Sequence, residues 1–327
     1  MVLLLVLAPI CAEYLAAYDS STGHPVQLLG GLLVFTPLYG CPALLIRELA
    51  RRAGLGWTGI LLLGTGFGLV QAGLVDQSLF NDDYRAIEGW DALFRGTFVP
   101  GVGVSAVNAL NFVGGHAIYS TGAPIALSEA VRPQRASRPW LGRPALLLVA
   151  LAWVAASAFV ALDTLRTETF RASPVQLGGT ALLVAVLVLV ASRARPRRAA
   201  TPRPAPPLWL TALVVLPLAL VNAMAPEDWL GVVLNLLAFA LAVAAGLRAG
   251  GNPGWDARHV AVAAAVPLLV RAGLAFTYDP LVGEVAAPAK YGHNVAMALL
   301  VLGVTLLALR ARREVFEPEV GSVTSGA

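Results

Sequence analysis

Ten long apolar runs divide the 327-residue sequence, at approximately 2–17, 26–46, 56–75, 99–131, 144–162, 175–192, 208–224, 229–247, 259–278 and 291–309. A bilayer core about 30 Å thick is crossed by roughly 20 apolar residues in helical form. Inside it, only a helix or a closed barrel pairs every backbone N–H and C=O. The runs are continuous and too long for strands, so they predict an all-α polytopic transmembrane bundle of about ten helices. The fourth run exceeds one straight crossing, and Pro124 marks a place for it to kink or restart. With 57% apolar and 13% charged residues and a mean hydropathy of +0.73, the chain stands far from soluble domains, in which about 25% of residues are charged.

The connections carry charge in alternation. Those at Arg47 to Arg52, Arg132 to Arg143, Arg193 to Arg203, Arg248 to Arg258 and from Arg310 onward hold 17 of the 23 basic residues and 5 acids. The intervening loops hold 5 basic residues and 12 acids. Lys and Arg are retained on the cytoplasmic side during insertion, so both termini are expected in the cytoplasm, in a multi-pass protein of the bacterial plasma membrane. Trp57, Trp140, Trp209 and Trp255 each follow a basic segment and open the next run, where an indole sits among headgroups. The basic pI thus reports orientation. Nucleic acid is not an expected partner, because the arginines are spread over five short loops without a folded basic domain.

MVLLLVLAPICAEYLAAY opens the chain without the positive n-region or the A-x-A site of a signal peptide, and Ile10 before Cys11 is too large for lipoprotein cleavage. A retained first helix is expected. Cys11 and Cys41 fall in different helices at different depths, so neither a disulfide nor a metal site is expected, and no cofactor motif is present. Residues 1–192 form a six-helix membrane region with a polar core, 193–207 (RARPRRAATPRPAPP) a cytoplasmic linker, 208–309 a four-helix membrane region and 310–327 a disordered cytoplasmic tail. Self-similarity of the kind that marks inverted-repeat transporters is absent.

NDDYRAIEGWDALFRG, residues 81–96, begins with a helix-start pattern and spaces Tyr84, Ile87, Trp90 and Phe94 at helical intervals. An amphipathic helix on the outer surface is expected, either capping a cavity or serving as a plain connector. Its four acids against two arginines attract cations or stay solvated.

The fourth run is unusual for its polar content. With Asn108 at zero and 100° per residue, Ser105, Asn111, Gly115, His116 and Tyr119 fall between about −60° and +80°. Facing lipid, these groups lack partners at a cost of several kcal/mol each, so the stripe is expected to face other helices or water, as a site or as interhelical glue. Gly64 and Gly68 on the third run form a small-xxx-small surface suited to close approach, and Gln71 is the deep polar residue there.

Arg271, four residues after Pro267, is expected to pair with Glu13 and freed carbonyls or to snorkel outward, and Glu13 to be that counter-ion or to reach the outer interface near Tyr14 and Tyr18. Glu129 is expected to pair with Arg132 at the interface. His293 and Asn294 are expected to be solvated or capping, and Asn222 and Asn235 to face each other across the APEDW turn.

LYGCPALLIRELARRAGLGWTGILLLGTGFGL (38–69), QSLFN, HAIYS and PWLGR together resemble an uncharacterised family of prokaryotic multi-pass membrane proteins over roughly residues 5–145. Members commonly carry a Glu-Glu pair where this chain has Gln71 and Ala72. That pair followed by a Phe-x-x-x-His helix is similar to CAAX-processing and bacteriocin-processing intramembrane proteases. The resemblance implies a glutamate that activates water, with histidines and an asparagine positioning it or stabilising an oxyanion. Phe112 to His116 fits the second motif. Gln71 cannot take a proton from water as a carboxylate does, and Met297 stands where the third motif, His-x-x-x-Asn, needs its asparagine after His293.

Three classes remain open. A binding or transport protein would hold a small or lipidic ligand on Gln71, Asn108, Asn111, Tyr119, Arg271 and Glu13. A divergent enzyme acting on a lipid or membrane peptide would centre on His116 as the catalytic candidate, with Arg271 as an anion clamp; an inactive relative of the proteases would keep the scaffold without the chemistry. An assembly protein would work with a partner membrane protein. Without an ATP-binding motif, active transport requires a partner ATPase or an ion gradient.

Overall fold

A computed structural model describes residues 1–195, 205–250, 252 and 254–311. Ten helical rods follow in chain order among them: α1 (Val2–Tyr14), α2 (Pro25–Arg52), α3 (Trp57–Val75), α4 (106–130), α5 (Arg143–Thr167), α6 (Pro174–Ala191), α7 (Leu208–Met224), α8 (Trp229–Ala249), α9 (Ala257–Leu274) and α10 (Ala287–Arg310). Seven are long and apolar enough to cross a bilayer; α1 and α7 are shorter apolar helices, and α4 is assembled from four consecutive segments. Part of the Pro/Arg-rich stretch, 196–204, and the tail from 312 lie outside the described residues.

The fourth run begins later than its hydropathy suggests. Phe98–Val99 and Val104–Ser105 pair as an antiparallel hairpin, Phe98 opposite Ser105 and Val99 opposite Val104. Ser105 then caps α4 by accepting the Asn108 N–H at 3.4 Å. Pro124 does not restart the helix, because Gly122 and Ala123 keep right-handed helical angles; a wide turn precedes it instead. The expected amphipathic helix over 81–96 is broken as well. Asn81 Oδ1 accepts the Asp83 N–H at 2.9 Å, Arg85 and Ala86 adopt positive φ within a short 3-10 turn at Tyr84–Ala86, and only Trp90–Gly96 is α-helical. An Asx turn competes with the helix for those N–H groups.

Five wide π-type turns interrupt the first four rods, at Ile10–Tyr14, Thr36–Gly40, Val70–Val75, Leu110–Gly114 and His116–Gly122. Pro9 precedes the first, Pro37 lies in the second and Pro124 follows the last. A proline removes one i→i−4 bond and crowds the preceding turn, which an i→i−5 turn relieves.

The buried core joins both halves of the chain. Leu7, Cys11, Tyr119, Leu127, Leu268 and Val301 pack in one cluster drawn from α1, α4, α9 and α10. Leu4, Leu44, Ile60 and Ile125 form another between α1, α2, α3 and α4. Outer rods expose their apolar faces: α5 buries only Ala156 and presents Leu147, Leu151, Phe159 and Leu162 outward, as hydrocarbon allows. Cys11 and Cys41 are both free and buried.

At one end of the bundle, α2 and α4 are tied by buried charge. Arg47, fully buried, donates to Glu129 Oε1 at 3.0 Å, to Glu48 Oε1 at 2.6 Å and to the carbonyls of Arg135 and Ala136 at 3.1 and 2.8 Å. Its guanidinium lies 3.6 Å from the Trp140 ring centroid. Glu48 accepts the N–H groups of Trp140 and Leu141 at 2.8 and 3.1 Å. Glu129 also accepts two bonds from Arg51, at 2.8 and 2.5 Å. The expected Glu129–Arg132 pair is therefore replaced by partners on α2, which reach the carboxylate from across the helix contact. The N-terminal amine lies among Arg47, Arg132 and Arg135, and Arg310 closes α10 beside Pro133 and Asp256, so both described chain ends lie on this basic face.

Breaking a buried ion pair from one side leaves an uncompensated charge, at about 3–5 kcal/mol. Glu129→Gln should therefore lower the unfolding midpoint in detergent steeply, whereas Arg132→Gln should leave it nearly unchanged. Orientation has its own test. In a background lacking both native cysteines, a cysteine at Asp91 should react with an impermeant maleimide on intact cells, and one at Ser137 only after permeabilisation.

Candidate functional site

The polar residues of the membrane region gather in groups, and several lie on the wide turns: Glu13, Tyr39, Gln71, Asn111, His116 and Tyr119 each sit in one. Such turns are frequent at functional sites.

The first group lies between α1, α2, α3 and α4. Tyr18 donates to Glu13 Oε2, and the Tyr39 hydroxyl faces the same carboxylate. The Tyr39 ring stacks on His116, with centroids 5.8 Å apart and planes 23° apart, while Phe67 meets the imidazole edge-on at 5.5 Å. His116 Nδ1 lies 2.9 Å from Ser120 Oγ. Close approach of α3 and α4 holds this arrangement. A Cβ on Gly68 would meet the Val113 carbonyl oxygen at 2.9 Å and His116 Cβ at 3.1 Å, and one on Gly64 would meet Thr121 Oγ1.

Toward the opposite, acidic end, Gln71 Nε2 donates to Asp76 Oδ2 at 3.2 Å, and the Ser78 N–H donates to Asp76 Oδ1 at 3.0 Å. The loop above them packs Tyr84, Trp90 and Phe112 together. It is pinned by Arg85 to Asp19 at 2.9 Å. Burial pushes the Asp19 carboxyl up, but the Arg85 guanidinium and Ser20 outweigh it and hold it below the usual carboxylate range.

The stripe on α4 is only partly assembled. Asn108 is buried, with its Nδ2 unpartnered. Asn111 is exposed, a departure from the expected inward stripe. A 100° wheel assumes uniform α geometry, and the wide turns at 110–114 and 116–122 rotate the register of the helix beyond each of them. Tyr119 belongs to the second group. Its hydroxyl donates to Asn222 Oδ1 at 3.3 Å, Asn222 Nδ2 donates to Asn235 Oδ1 at 2.8 Å, and Arg271 lies 4.4 Å over the Tyr119 ring. Arg271 does not pair with Glu13, whose partners are the tyrosines; a cation–π contact takes its place.

His293 and Asn294 are buried rather than solvated. His293 Nε2 lies 2.8 Å from the Tyr14 carbonyl oxygen, and Asn294 donates to that of Ala275 at 2.8 Å. The tie between the Tyr18 turn and Leu281, whose N–H donates to the Tyr18 carbonyl, brings these ends together. Tyr39 and Asp76 are the site residues that sequence reasoning missed; Pro37 beside Tyr39 was the available signal of an irregular turn.

A cavity of about 760 Å³ opens between α4, α7, α8 and α9. Ile118, Val214, Leu218, Phe239 and Ala264 line its length, Asn222 marks one end, and Arg248, Asn252 and Trp255 the other. It exists because α8 packs mainly on α7 and the first turn of α4, leaving its basic-face half apart from α9. Gln71, Asn108, Asn111, His116 and Glu13 do not line it; Tyr119 reaches it through Asn222.

Residues 2–320 match the model of an uncharacterized membrane protein family, well beyond the 5–145 region that carried the resemblance. No curated protein and no solved structure matches the chain.

Replacing His116 by Ala removes two ring contacts and one hydrogen bond, about 2–4 kcal/mol in total. The unfolding midpoint should fall while the protein still inserts. Gly68→Val should also destabilise, because the Val113 backbone cannot yield as a side chain would.

Proposed function

The chain belongs to this uncharacterized membrane protein family, and we propose that it binds a lipid with a phosphate-bearing headgroup, its acyl chain lying in the cavity between α4, α7, α8 and α9. The cavity itself carries this reading. From Leu210 to Asn222 it follows 12 residues of α7, about 18 Å at 1.5 Å per residue, the reach of an acyl chain across much of a bilayer. Its volume lies within the range of ligand cavities, about 300–1,000 Å³.

Its ends differ in chemistry. Arg248 with Trp255 stands at the basic face, where basic residues between transmembrane helices hold anionic headgroups. The pair Asn222–Asn235, braced by Tyr119 and Arg271, closes the far end. Headgroup entry from the basic face, the cytoplasmic leaflet by the charge pattern, would place the ligand without carrying charge through hydrocarbon. Binding at this site is compatible with transfer of the lipid to a partner membrane protein or ATPase.

Binding of fluorescent phosphatidylglycerol and phosphatidylcholine to the purified protein tests the reading. Ala219→Trp, which fills the cavity, should weaken phosphatidylglycerol at least tenfold, about 1.4 kcal/mol; Leu151→Trp on the outward face of α5 should not. Arg248→Gln should abolish the preference for phosphatidylglycerol. Equal binding by wild type and Ala219→Trp would sink the proposal.

A further inference from the structure

Asp76 ends α3 beneath the acidic outer loop, half-buried, and takes part in no ion pair among the described residues. The two arginines of that loop are committed elsewhere, Arg85 to Asp19 at 2.9 Å and Arg95 to Asp82 at 3.2 Å. The groups that surround the carboxylate are oxygen-bearing. Gln71, 1% exposed, donates one amide hydrogen to Oδ2, and its own Oε1 is buried without a hydrogen-bond partner. Ser78, fully buried, donates its N–H to Oδ1, and its hydroxyl is buried without a hydrogen-bond partner. The Tyr84 and Tyr39 hydroxyls lie within electrostatic reach.

A buried acceptor without a donor is costly and calls for an explanation. Here the orphaned oxygen belongs to the same amide that covers the carboxylate. Rotation of that amide gives up its bond to Oδ2 and turns its oxygen toward the carboxylate, an arrangement that is repulsive unless a cation lies between the two oxygens. Hard oxygen donors carrying a single negative charge suit a small monovalent cation better than a divalent ion, which requires more carboxylates. Asp82, Asp83, Glu88 and Asp91 on the overlying loop raise the local concentration of cations.

We propose that Asp76, Gln71 and Ser78 bind one sodium ion from the acidic face of the membrane. The site is separate from the cavity between α4, α7, α8 and α9 and does not depend on lipid binding there. An ion held by α3 and the loop after it would order the turn at Gln77, whose φ is +55°, and stabilise the attachment of this loop to the bundle.

The test is thermal unfolding of the purified full-length protein in detergent, with sodium chloride or choline chloride at equal ionic strength. Sodium at about 100 mM should raise the midpoint by about 3 °C or more, in a saturable manner. The shift should vanish in Asp76→Asn and in Gln71→Leu, and persist in Asp91→Asn. Gln71→Glu keeps an oxygen at the same point and adds a charge, so it should retain or enlarge the shift; this variant decides the matter should Asp76→Asn fail to fold. Equal midpoints in sodium and choline, or an undiminished sodium shift in Gln71→Leu, would overturn the proposal. So would a midpoint that tracks pH and ignores sodium, which marks Asp76 as a proton site only.

Discussion

One buried cation organises the basic end of this bundle. Arg47 reaches Glu129 on α4, Glu48 on its own helix and two carbonyls of the connecting loop, with Trp140 stacked over its guanidinium. A guanidinium out of water is tolerable only when nearly every donor is used, and the chain supplies those partners from three separate places. The contact fixes where α2 meets α4 and where the loop to α5 folds back. Both central helix packings, α4 against α1 and α4 against α3, use the helix anchored in this way.

Hydrocarbon imposes a second condition farther up the same helices. Polar side chains must find each other, and backbone groups must remain paired. The first four rods meet both demands with wide turns, which swing Tyr39 onto His116 and Gln71 onto Asp76. The later rods, α5 to α8, carry fewer polar groups inward and run as ordinary helices. Irregular geometry and polar content therefore coincide along α1 to α4, and α4 also forms one wall of the large apolar cavity.

Residues whose environment is set by neighbours in sequence were legible before the fold. The ten apolar rods are dictated by length and hydropathy alone, and Asn222 and Asn235, joined by a short turn, meet as their positions imply. Gly64 and Gly68 lie against Thr121 and His116, because small residues four apart share one helix face. Features that depend on distant partners or on turn width could not be read. Glu129 chooses arginines 78 and 82 residues away over the adjacent Arg132. Asn111 leaves its stripe because a uniform helical wheel has no place for π turns. Glu13 takes the nearby Tyr18 and the distant Tyr39 in place of Arg271, and only the first of these was within reach of the sequence.

The separation of Arg47 from Glu129 by 82 residues also sets an order of events at birth. At about 5–20 residues per second, roughly 4–16 s pass between synthesis of the guanidinium and arrival of its carboxylate. During that interval α2 and α3 sit in the bilayer with Glu48 as the only acidic partner of Arg47 already made, so the nascent hairpin must keep that charge near water. The fourth helix then supplies Glu129, and only from that point does the guanidinium have the partners with which it is buried in the finished bundle.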